Sequence, residues 1–145
     1  MVLSDTGDRR DEIQEAIDAG KRAVDSLKEA QEELKSAGRW GVLDAFGGNI
    51  ATGIVKHNKI NDAERYVDEA KDDIREFRDD LWGIRDIEGL DVSIDGFLTF
   101  ADFAMDGIFS DMLVQSKIEK SKREVADAID RVEEVIEGLE KSLDD

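Results

Sequence analysis

One segment of this chain occurs twice, at an offset of 58 residues, and this repeat constrains the fold more than any other feature. The first copy runs from Gly38 to Leu81 and the second from Gly96 to Leu139. Identical pairs include Gly38/Gly96, Asp44/Asp102, Ile50/Ile108, Lys59/Lys117, Arg65/Arg123, Val67/Val125, Ala70/Ala128 and Leu81/Leu139. Each copy passes from an apolar, glycine-punctuated elbow into a long heptad-patterned stretch. A repeat of this kind sets architecture, because each copy must bury the same apolar face. It does not by itself set an activity.

The heptad spacing points to helices. In the first 37 residues, Ile13, Gly20, Leu27 and Leu34 share one heptad position, and Ala16, Ala23, Ala30 and Ala37 share the other. Ile17 and Val24 widen that stripe. Alanine at every second core position lets a neighbouring helix approach closely. A helix is expected from about Asp8 to Ala37, after a frayed start at 1–7, with Gly38 as its left-handed stop. The second stripe, Ile60, Ala63, Val67, Ala70, Ile74, Phe77 and Leu81, keeps a three-four alternation to about Trp82 or Arg85. Asn61 and Glu64 fit either a capping box or the exposed face of one continuous helix. The third stripe is Ile118, Ser121, Val125, Ala128, Val132, Val135 and Leu139, with Ile129 and Ile136 beside it.

The elbows read as short apolar helices. Arg39–His57 bends or breaks near Gly47-Gly48, and Asp95–Ser110 carries Phe97, Phe100, Phe103 and Phe109. They are expected to pack together at one end. The fold class expected is all-α: one domain over 1–145, an elongated antiparallel helical bundle or coiled coil with an internal pseudo-repeat over 38–81 and 96–139.

Composition agrees. Charged residues make up 39% and hydrophobic residues 40%, a balance that narrow apolar seams on long helices can satisfy. Proline is absent, so nothing forces a helix to break. Cysteine is absent too, which removes disulfides, thiolate metal sites and a cysteine nucleophile. The formal charge of −17 opposes binding to nucleic acid or to anionic membranes; it is compatible with a basic protein partner, and equally with charge that serves to keep long helices soluble. The first residues lack a cationic stretch followed by an apolar core, and no stretch is long and apolar enough to span a bilayer, so a cytoplasmic location is expected.

The candidates for chemistry are polar residues in and beside the elbows: Asp44, His57, Asp102, Asp106 and Asp111. Carboxylates with one imidazole could ligate a divalent metal. The paired Glu-x-x-His pattern of helical carboxylate sites does not occur, however. An aspartate repeated in both elbows is equally suited to accept backbone N–H groups or to pair with a cation. No Gly-x-Ser-x-Gly elbow and no phosphate loop is present.

Two blocks carry a resemblance. The string Trp40-Gly-Val-Leu-Asp44-Ala-Phe-Gly47-Gly48, followed by Lys56-His57-x-Lys59-Ile60, resembles the signature of an uncharacterised prokaryotic all-helical family. Gly96-Phe97-Leu-x-Phe100-Ala-Asp102-Phe103-x-x-Asp106-Gly107-x-Phe109-x-Asp111, continued by Gln115-Ser116-Lys117-Ile118, resembles its second block. The similarity spans about Ala16 to Leu139. It implies a self-standing soluble helical protein and supplies no catalytic residue, substrate or cofactor.

The sequence therefore supports a non-enzymatic structural or protein-interaction module without a cofactor. Its expected contact face is the Ile13/Ala16/Leu27/Ala30/Leu34 stripe, or the Ile60 to Leu81 stripe, with acidic flanks, used for self-association as a dimer or for a protein partner. Two alternatives stand beside it. One is a metal-binding protein or metal-dependent enzyme using the elbow carboxylates. The other is an acidic nucleic-acid mimic that occupies a basic protein.

Overall fold

A computed structural model describes the backbone of residues 2–47, 50–87, 91–107 and 115–144, and the side chains of 9–36, 62–87, 94–102 and 119–144. Within these residues the fold is all-helical. Four helices follow in order: α1 (Val2–Gly47), α2 (Ile50–Trp82), α3 (Asp91–Gly107) and α4 (Gln115–Asp144). At 1.5 Å per residue, α1 is about 69 Å long and α4 about 45 Å.

The first elbow is not a separate element. Gly38 does not stop the first helix, which begins at Val2 instead of near Asp8 and runs through Gly38 and Gly41 to Gly47. A helix-interior glycine costs only about 1 kcal/mol relative to alanine, too little to end a long helix by itself. Helix α1 ends at Gly47 and α2 starts at Ile50, and residues 48–49, beside which the break is expected, lie outside the described residues. The rest of the first elbow is absorbed into the end of α1 and the start of α2. Because α2 begins at Ile50, Asn61 and Glu64 lie inside a continuous helix, which excludes their capping-box reading. The second elbow is α3, and it takes in Val92-Ser93-Ile94 as helix.

The end of α2 matches the sequence reading. After Trp82 the chain tightens into i to i+3 hydrogen bonds: Gly83 N–H donates to Asp80 O, Ile84 to Leu81 and Ile87 to Ile84. These satisfy terminal carbonyls that no further helical turn would reach.

The core forms where the stripes meet. On α1, Ile13, Ala16, Ala23, Leu27, Ala30 and Leu34 are buried. On α2 and α4, the repeat mates Ala63/Ser121, Val67/Val125, Ala70/Ala128, Ile74/Val132, Phe77/Val135 and Leu81/Leu139 are buried at matching positions. Helix α1 packs against both α2 and α4, while α3 packs against the same pair from the other side. Ile94, Phe97, Leu98 and Ala101 are the buried residues of α3. The Phe97 ring lies 5.2 Å from Phe77 and 6.0 Å from Phe100, both tilted. The described aromatics of the second elbow thus sit well along α2, not at the α1–α2 turn.

Gly20 marks a close crossing. A Cβ built there would lie 2.8 Å from Ile136 Cγ1 on α4 and 3.0 Å from Phe77 Cε1 on α2. Only a hydrogen fits between these side chains. This explains a glycine in register with Leu27 and Leu34, where a larger residue would otherwise add buried area.

Cross-helix pairs order the bundle. Arg9 pairs with Asp86, Arg22 with Glu76 and Ser26 with Asp73, so the partner's number falls along α2 as it rises along α1. Along α4, Arg10 donates to Leu143 O, Lys21 pairs with Glu140 and Lys28 with Glu133.

Candidate functional site

The five stripe residues expected to meet a partner are spent inside the chain. Ile13 is 5% exposed, and Ala16, Leu27, Ala30 and Leu34 are fully buried. The alternative stripe on α2 is equally occupied over Ala63, Val67, Ala70, Ile74, Phe77 and Leu81. Its Ile60 lies outside the described side chains. A second copy or another protein could reach these residues only by opening the bundle, which would expose most of its core. The physical reason is that α1 offers its wide stripe to both α2 and α4.

Of the five elbow candidates, Asp102 is described. Its carboxylate is exposed and accepts a hydrogen bond from Arg78 at 3.3 Å, so a guanidinium is its neighbour. Asp44, His57 and Asp106 lie on helical backbone, but their side chains, like all of Asp111, fall outside the described residues. Among the described residues no group of three or more His, Asp or Glu side chains is arranged to hold a metal ion. Trp82 lies at the end of α2, half exposed, with the Arg85 guanidinium 4.3 Å over its ring. Trp40 lies outside the described side chains. Phe100 is covered in the same way by Arg131 at 4.6 Å.

Three charged arrangements stand out on the exterior among the described residues. The first closes the end of the bundle. Arg9 forks onto both Asp86 oxygens, at 2.9 and 2.8 Å, and also donates to Gly83 O. These hydrogen bonds hold the Asp86 carboxyl below the usual carboxylate range. Two-point contact of this kind fixes orientation as well as distance.

The second lies on the α1/α2 face around Asp80. Partial burial pushes the Asp80 carboxyl above its usual value, reinforced by Glu76, Glu15 and Asp79 and opposed by Arg22. Arg22 is engaged by Glu76 at 2.8 Å. Nearby, the Ser26 hydroxyl donates directly to Asp73 between the helices. This face is charge-crowded but tied together by direct bonds.

The third is an open groove of about 510 Å³ between α1 and α4. Val24 and Ile136 contribute its apolar surface. Lys21 and Asp25 line it on α1, and Glu133, Glu137 and Glu140 on α4. Lys21 approaches Glu140 only to 3.7 Å and Lys28 approaches Glu133 only to 3.8 Å. All four side chains are more than half exposed. Exposed pairs of this length contribute little to stability. Heptad periodicity alone does not single out these carboxylates. The signal was present: Val24 and Ile136 widen their stripes beyond the heptad seam, and Glu133 and Glu140 stand one heptad apart beside Ile136.

No helix among the described residues is long and apolar enough to cross a membrane. Comparison with protein-family models, with curated proteins and with solved structures finds no match for this chain.

Proposed function

We propose that this chain is a non-enzymatic protein-interaction module that presents an acidic helical exterior to a basic protein. One observation carries the reading. Among the described residues the apolar stripes are buried within a single chain, and the surface left for a partner is charged, on a molecule of net charge −17. Acid-rich exteriors favour association with basic partners and disfavour self-association through like charge. The contact face is therefore the exterior and not the Ile13 to Leu34 seam.

The architecture we read beneath this surface is an elongated antiparallel bundle with coiled-coil-like seams and a pseudo-repeat. The descending order of the α1–α2 and α1–α4 pairs supports the antiparallel reading. The matching burial of repeat mates on α2 and α4 supports the pseudo-repeat.

Cross-linking followed by affinity capture from cells that make the protein tests the function. The expected result is enrichment of one or a few basic proteins, with recovery falling as salt is raised through the range that shortens the Debye length from about 10 Å to about 3 Å. Recovery of no protein above a tag-only control would overturn the proposal.

A further inference from the structure

We propose that the α1/α4 groove is a docking site for a basic amphipathic helix carrying two arginines one heptad apart, with an apolar residue between them. This rests on the acidic-exterior reading above and names the partner's form.

The two sides of α1 differ. Toward α2, the crossing is held by Arg22–Glu76 at 2.8 Å and by the Ser26–Asp73 hydrogen bond. Toward α4, Arg10 donates to Leu143 O at 3.0 Å, but over the groove the crossing is spanned by Lys21–Glu140 and Lys28–Glu133, at 3.7 and 3.8 Å. Val24 and Ile136, at 8% and 7% exposed, are among the least covered residues of the core, and both line the groove.

Glu133 and Glu140 are separated by about 10.5 Å along α4 at 1.5 Å rise per residue. Arginines seven apart on a partner helix lying along α4 have the same spacing. A guanidinium binds a carboxylate through two parallel hydrogen bonds, which an ammonium cannot do. The partner's arginines would therefore displace Lys21 and Lys28, whose flexible arms already lie in solvent. A leucine three or four residues after the first arginine would fall between them, over Val24 and Ile136. A second copy of this chain is a poor occupant, because its charge of −17 opposes approach.

The test uses a fluorescent helical peptide with arginines seven apart and leucine between, and a scrambled peptide of the same composition, in ~0.15 M salt. Binding is measured by anisotropy to the unaltered chain, to Glu133→Lys/Glu140→Lys, and to Asp68→Lys/Glu69→Lys on the exposed face of α2. Glu133→Gln/Glu140→Gln, checked by circular dichroism, covers the case in which the lysine pair disturbs folding. The expected result is at least about tenfold weaker binding for both groove variants and for the scrambled peptide, a ratio that one lost charge-assisted contact supplies. The α2 variant, with the same change in net charge, should shift affinity by less than about twofold. Equal weakening by the groove and α2 variants would overturn the groove while leaving the acidic exterior standing. No peptide binding, with basic proteins still captured from cells, would also overturn it. Failure of both experiments would remove the acidic-exterior reading as well.

Discussion

Replacing Gly20 with alanine tests the packing where α1 closely approaches α2 and α4. Two effects oppose each other. Alanine favours a helix interior over glycine by about 1 kcal/mol. Against this, the new methyl group would stand 2.8 Å from Ile136 Cγ1 and 3.0 Å from Phe77 Cε1. The Ile136 side chain can rotate. The Phe77 ring is fully buried and has nowhere to move without shifting α2 or α3. Overpacking of this kind costs about 1–3 kcal/mol. The net expectation for Gly20→Ala is a loss of up to about 2 kcal/mol. Gly138→Ala is the control. It lies inside α4 with nothing within 4 Å of the added carbon, so only the propensity gain remains. The propensity effects cancel between the two variants, and their difference of about 1–3 kcal/mol isolates the clash. Urea denaturation followed by circular dichroism at constant m-value measures it directly. Trimming the obstacle in Gly20→Ala/Ile136→Ala should recover part of the clash as a coupling energy. If Gly20→Ala is as stable as Gly138→Ala, α1 does not pack against α2 and α4 in this register, and the reasoning fails.

Other perturbations follow from the same contacts. Leu27→Ala and Leu34→Ala should each destabilise the isolated chain by about 2–5 kcal/mol, since both side chains are fully buried. A neutral result in denaturation would return those residues to a partner surface. Asp80 and Asp86 should behave with opposite signs. The Asp80 value is raised on folding, so stability falls as pH rises from the ordinary carboxylate value, about 3.9, through the folded value. Asp80→Asn should therefore stabilise at neutral pH and do little below about pH 3.9. The Asp86 value is lowered, so its contribution is present above the ordinary value and lost as pH falls through the folded one. Asp86→Asn should weaken the fold at neutral pH, with the difference shrinking in acid. Denaturation midpoints across pH check both, and the same sign for the two variants would contradict the assignment.

Much of the fold is legible in the residues, and the reasons are local. The spacing of Val67, Ala70, Ile74, Phe77 and Leu81 can only be buried as a helix face, and that face is buried. Gly38 misleads because a glycine's cost is small beside the packing of a 46-residue helix. The greater difference concerns what covers the stripes. Periodicity shows that Ile13, Ala16, Leu27, Ala30 and Leu34 need a cover, but a cover from another chain and one from α2 and α4 leave the same pattern. Gly20 lies visibly in the seam, yet its contacts with residues 57 and 116 positions away depend on helix register, which no local spacing encodes. The groove is partly legible for the opposite reason: Val24 and Ile136 exceed what a heptad seam requires.

Amide hydrogen exchange along α1 from Ala16 to Leu34, followed across protein concentration, distinguishes a seam covered by its own chain from one covered by a second molecule. If one chain covers its own seam, these amides exchange slowly and at a rate independent of concentration from the micromolar to the millimolar range. Protection that fades on dilution would show that a second molecule supplies the cover, and would contradict the account.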